Sequence, residues 1–271
     1  MNRRVLLAAV GGLAVAVVAG CAGLRGSEEG HGALLLTFDD PNYDRWVEAM
    51  PLFAKYGAHA TFFPSGHLNE HALEQLAKLK AAGHTVGIHA EHHRDAPPGF
   101  KKIGGDAYVL QELEPQIAAY AKIGHRPLSM AYPNNARTSE TDAFIAERVG
   151  IRRFRAGHVV KYDPKHLYPK PDLVNTDEVF FPADELPQYR VLKGIGIGES
   201  YRTDIDEIVA CVRRAAERNE ALVTYSHDIR PDAKTINMKT EWLERILATA
   251  HACGMKIIAF DEIPAAESSR P

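Results

Sequence analysis

An α/β fold built on parallel strands is predicted by two features of the 271-residue sequence. Short apolar runs alternate with amphipathic stretches of helical period along most of its length, and strand–helix–strand units of this kind force parallel pairing. Several of the apolar runs also end in polar, reactive residues. In parallel α/β folds the carboxyl ends of the strands lie on one face, where sites form. An open doubly wound sheet and a closed barrel satisfy both features equally, because periodicity carries no information about closure.

The first candidate strand, "ALLLTF" (33–38), stops at the adjacent carboxylates Asp39 and Asp40. "YDRWVEAMPLFAKYG" follows, with Trp46, Val47, Met50, Phe53 and Ala54 on one helical face and Gly57 as a stop. "HATFFP" (59–64) is the second strand, and the next helix runs from an Asn cap to Gly83. "HTVGIH" (84–89) leads into the histidine-rich "HAEHHRD". "PLSMAY" (127–132), a helix from Ser139 to Gly150, and "RRFRA" (152–156) come next. "ALVTYS" (221–226) and "MKIIAF" (255–260) each follow or precede one of the last two helices. Between them residues 158–200, rich in proline and aromatics, break the rhythm and read as a long functional insertion or lid. "KGIGIGES" within it lacks the spacing and the strand–helix context of a dinucleotide-binding loop.

Residues 1–20 stand apart from the fold. Arg3 and Arg4 precede an apolar run from Val5 to Val18 that closes on "VVAGC", the layout of an export signal too short to span a bilayer comfortably. Cys21 after Ala19–Gly20 resembles a lipobox, in which the cysteine is acylated and becomes the new N-terminus; an ordinary export signal and the twin-arginine route share part of the pattern. Residues 21–32 read as a flexible tether, leaving 33–264 as one domain, exported and lipid-anchored to the bacterial cell envelope. The chain carries 32 basic and 35 acidic residues, net −3, with no basic patch to support nucleic-acid binding. Cys211 and Cys253 are too few for a disulfide framework, and both pairing and burial as free thiols suit them.

The chemistry-bearing residues gather at four strand ends: Asp39–Asp40, then His89, His92 and His93, then "AYPNN", then "SHD" with His227. His89 and His93 stand at i, i+4, so one turn lets two imidazoles meet one cation. With a carboxylate they form a His–His–Asp set with open coordination positions, suited to one Zn²⁺ or another divalent transition metal. His92 is the alternative to His93, at a less favourable i+3 spacing. Two adjacent carboxylates at the mouth of a core repel one another, and a nearby cation relieves that repulsion.

With these residues in view the chain resembles the polysaccharide deacetylase (NodB-homology) family of metal-dependent carbohydrate esterases. "TFDD" (37–40), "ATFF" (60–63), "GHTVGIH" (83–89), "HAEHH" (89–93), "VTYSHD" (223–228) and "MKIIAFDEI" occur in the family's order from about residue 33 to 264. The resemblance implies a distorted (β/α) barrel of about seven parallel strands with a long insertion near residues 158–200. It further implies Asp39 as base, Asp40, His89 and His93 as metal ligands, and His227 as the acid that protonates the leaving group. Acetylated glycan is the expected substrate. Three departures stand out: Ala90 replaces a hydroxyl residue, Ala131 occupies the position of a motif arginine, and Pro41 stands where glycine is common. "MAYPNN" is closer to a Tyr–Pro variant, which brings in Tyr132 and the backbone N–H of Asn134 as substrate or oxyanion contacts, and Arg155 in "FRAG" is the candidate to replace the missing guanidinium. A non-catalytic carbohydrate-binding lipoprotein and a metal hydrolase of another C–N or ester bond share most of these motifs.

Overall fold

The computed structural model describes residues 31–158 and 172–265. The export signal, Cys21, residues 21–30 of the tether and residues 159–171 of the expected insertion lie outside the described residues. Its elements in chain order are β1 (Ala33–Asp39), α1 (Tyr43–Lys55), β2 (Thr61–Phe63), α2 (Glu70–Ala81), β3 (Thr85–Val86), α3 (Ala96–Ile103), α4 (Gly105–Tyr108), α5 (Glu114–Ala121), β4 (Ser129–Ala131), α6 (Ser139–Val149) and β5 (Arg153–Gly157). These are followed by β6 (Phe180–Pro182), β7 (Val191–Gly196), α7 (Ile205–Glu217), β8 (Glu220–Ser226), β9 (Ile229–Arg230), β10 (Met238–Lys239), α8 (Thr240–Ala252) and β11 (Lys256–Ile257).

Seven strands run parallel in the order β3-β2-β1-β8-β7-β5-β4. A parallel bridge from Ile88 to Met130 brings the two edges together, so the sheet is a nearly closed barrel. Every residue of β1 is buried, as expected for a strand covered on both faces. Its side chains alternate between two apolar clusters. Leu34, Leu36 and Phe38 face outward to the helices, whereas Ala33 and Leu35 face inward with Ala131, Ala221 and Val223. The period of two carries Asp39 into the inward row. The same count on β8 sends Tyr225 inward, and on β5 the outward Phe154 leaves Arg155 facing the barrel interior.

The expected insertion is in part a barrel wall. β7, within "VLKGIGIG", fills the place between β5 and β8, while β6 lies antiparallel against β8. Glycine weakens the strand signal in sequence, yet here it makes room: a Cβ on Gly196 would stand 2.7 Å from the ring of Tyr201. Conversely, "MKIIAF" gives only the two residues of β11, paired with the start of β1. Beyond them the chain leaves the sheet, and the amides of Phe260 and Asp261 donate to the hydroxyls of Thr61 and Thr85.

The helices follow their sequence signals closely. Asn69 caps α2 by accepting from the Ala72 amide, and Gly150 ends α6 with a left-handed φ of 84°. The cap of α6 is Thr138, one residue before the expected Ser139, in a reciprocal pair with Thr141. Cys211 is a buried free thiol, so it is not paired with Cys253. Among the described residues no helix is long and apolar enough to cross a membrane.

His84 makes the stability of this core depend on pH. Its Nδ1 accepts from the Ala60 amide at 3.1 Å, and the ring packs on Phe53 and Phe62. Burial, aided by His59, pulls its pKa from 6.5 down to about 4. A histidine with a depressed folded-state value contributes fully above 6.5 and loses that contribution as pH falls through about 4. The loss amounts to roughly 3 kcal/mol at most. Thermal melts between pH 7 and 4 are expected to show a shallower decline for His84→Asn than for the wild type; equal slopes would refute the assignment.

Candidate active site

Each strand end contributes a particular side chain to the mouth of the barrel. Asp39 closes β1 and is buried, and Asp40 follows it with a left-handed φ of 74°. The loop after β3 delivers His89 and His93, which face each other with their Nε2 atoms 3.2 Å apart. The His89 Nε2 and His93 Nε2 lie 3.9 and 3.7 Å from Asp40 Oδ1. One ligand atom from each of Asp40, His89 and His93 fits within a span of 4.8 Å. His92 is not part of this group; it is exposed and faces Glu112 at 3.2 Å.

The tautomer of His89 is set from behind. Its Nδ1 donates to the carbonyl of Ala131 at 2.9 Å, which leaves the Nε2 lone pair turned toward Asp40. Burial, against the opposing pull of that carbonyl, lowers the pKa of His89 to about 4 and keeps the ring neutral, the form that ligates metals. Asp40 Oδ1 also accepts from Ser65 Oγ at 3.0 Å.

On the inward face Arg155, fully buried, bonds Asp39 Oδ2 and the side chain of Asn135, and its guanidinium lies 4.6 Å over the ring of Tyr225. Burial brings its pKa down to about 10, still well above neutrality. The second Asp39 oxygen, Oδ1, is buried without a hydrogen-bond partner among the described residues. His227 follows β8; its Nδ1 bonds the carbonyl of Ile236 at 3.1 Å and its Nε2 points toward Asp40 Oδ2 at 3.7 Å. Burial lowers the pKa of His227, with Asp40 opposing.

The two remaining expected contacts part company. Asn134 stands at the mouth after β4 with a φ of 51°, its side chain donating to Asp95 at 2.8 Å. Tyr132 has its ring in the outer core, fully buried and stacked on Phe154 at 5.3 Å. The sequence reading did not single out Ser65, Asn135 or Tyr201. Ser65 sits in the "PSG" turn after "ATFF", and Asn135 is the second residue of an Asn–Asn pair, a type that tolerates the left-handed φ of 57° found there. Tyr201 lies nearly parallel to the His227 ring at 6.5 Å, in the space left by Gly196.

Residues 26–154 match the family model described as polysaccharide deacetylase. This stretch of the chain is similar to the polysaccharide deacetylase family. The match includes Asp39, Asp40, His89 and His93, while Arg155 and His227 lie beyond it. Over 123 residues the chain is 30% identical to a chitin deacetylase of Arthroderma benhamiae, covering 43% of this chain and 32% of that protein. The chain thus spans about a third of the length of this curated relative. Its fold is similar to the chitin deacetylase of the fungal pathogen Colletotrichum lindemuthianum, with a TM-score of 0.57 at 13% identity over 89% of this chain and 90% of the other. It is also similar to the Xyl-CE4 domain of a multidomain xylanase from the hindgut metagenome of Trinervitermes trinervoides, with a TM-score of 0.54 at 16% identity over 86% and 89%.

Proposed function

We propose that the protein is a metal-dependent hydrolase that removes acetyl groups from an N- or O-acetylated polysaccharide. The observation that carries this reading is the convergence of Asp40, His89 and His93 on one point, with Asp39 and His227 flanking it. The donor set suits one divalent cation: two imidazoles and a carboxylate leave positions open, and Zn²⁺ accepts such a set. When bound, the cation supplies Lewis-acid polarisation of the acetyl carbonyl and lowers the pKa of water.

The chain's own residues divide the proton transfers. Asp39, paired with Arg155 through Oδ2, presents Oδ1 as the base that takes a proton from water. His227 gives a proton to the leaving amine or alkoxide from Nε2. Its lowered pKa makes the protonated ring a stronger acid, and the Ile236 carbonyl fixes its direction. The backbone N–H of Asn134, in a left-handed turn at the mouth, is the group assigned to the developing oxyanion. An export signal in front of such a site points to a glycan of the cell envelope or beyond it as substrate.

Acetate release from acetylated chitin oligomers, peptidoglycan fragments and acetylated xylan tests the reading. Metal-stripped protein is expected to be inactive, and Zn²⁺ or Co²⁺ to restore turnover on at least one substrate. Metal-loaded protein that binds these glycans yet releases no acetate would identify a carbohydrate-binding relative of the enzymes instead.

A further inference from the structure

Two buried polar side chains lie directly beneath the loop that carries His89 and His93, outside the group that faces the barrel mouth. Glu112 and Gln116 are both fully buried. A core needing only volume would be filled by aliphatic residues, since burying an amide and a carboxylate costs free energy unless each is fully engaged. Both bond one stretch of backbone, while Glu112 Oε1 has no hydrogen-bond partner among the described residues and faces the Arg94 guanidinium at 3.3 Å. The Glu91 and His92 amides donate to the Glu112 carbonyl at 2.8 Å and to its Oε2 at 2.9 Å. Gln116 Oε1 accepts from the His89 amide at 3.3 Å. Gln116 Nε2 donates to the carbonyls of Pro64 and Gly66, both at 3.0 Å, on either side of Ser65.

The helix is shaped for this task. Residues 109–113 form a single π turn, in which the Glu114 amide reaches back to the Val109 carbonyl. Pro115 has no N–H to continue an α-helical ladder, so the turn widens. The Glu112 carbonyl, next to the end of this turn, accepts from the Glu91 amide. At position 90, where a hydroxyl residue would offer a local anchor, Ala90 has none.

We propose that Glu112 and Gln116 are positioning residues that hold the His89–His93 loop and the Ser65 turn in metal-binding register. The proposal rests on Asp40, His89 and His93 being the ligands, and Co²⁺ alone tests both. Titrated with Co²⁺ and followed by its visible absorption, the full chain is expected to bind one equivalent. Gln116→Met is expected to weaken that binding by roughly 10–100-fold, the usual effect of losing an outer-shell partner, in protein that remains folded by near-UV circular dichroism. Glu112→Gln keeps the shape and one acceptor, and it is expected to weaken binding several-fold with an altered spectrum; it decides the matter if Gln116→Met does not fold. Co²⁺ affinities within twofold of a wild type that does bind would overturn the positioning role. A wild type that binds no Co²⁺ would overturn the ligand assignment itself.

Discussion

Arg155→Met is expected to destabilise the protein by about 3–5 kcal/mol and to reduce acetate release at least 100-fold. The guanidinium bonds Asp39 and Asn135 at full burial. Removing it leaves a carboxylate in the barrel interior with no countercharge, and Asp39 either takes up a proton or unfolds its surroundings. Arg155→Lys is expected to recover only part of the loss, because a single ammonium cannot reproduce a fork directed at two partners. The decisive comparison is the double variant Asp39→Asn with Arg155→Met. Urea denaturation should show most of the stability restored once the orphaned charge is gone, while turnover stays lost. If the double variant is as unstable as Arg155→Met alone, the ion pair is not the source of the effect.

The adjacent carboxylates are expected to fail in different ways. Asp40→Ala removes the oxygen that lies within 4 Å of both His89 and His93 and accepts from Ser65. Its metal content after dialysis is expected to fall to background, with affinity reduced by about two orders of magnitude or more. Asp39→Asn leaves that oxygen in place and removes the proton acceptor, so metal content is retained and turnover falls by roughly 100- to 10,000-fold. Metal analysis beside acetate release separates the two, and normal turnover in both variants would sink the site assignment.

Much of this was legible along the chain. Asp39 and Asp40 stood out because charges ending an apolar strand have few structural uses, and the His89–His93 spacing named its own partner. Arg155 is legible as the guanidinium that the end of the "RRFRA" strand supplies. The limits were equally physical. The Tyr–Pro variant in "MAYPNN" suggests Tyr132 as a substrate contact, but strand alternation sends its ring outward onto Phe154. β7 went unread because glycine, chosen there to admit Tyr201, erases the apolar signature of a strand. Ser65, Asn135 and Gln116 act through contacts over 20 or more positions in sequence, which no local pattern records.

The backbone of the site has a consequence for how the sequence can drift. Asp40, Ala90, His93, Asn134 and Asn135 all adopt left-handed φ angles between 51° and 74°. Asp, Asn and His accept this region more readily than most residues, but Ala90 opposes it by about 1–2 kcal/mol. Alanine therefore marks a position where local comfort has been given up, and the rest of the barrel must be stable enough to carry the difference. A destabilising change far away, in β11 or the base of α8, would then surface first as a slackened catalytic mouth rather than as a melted core.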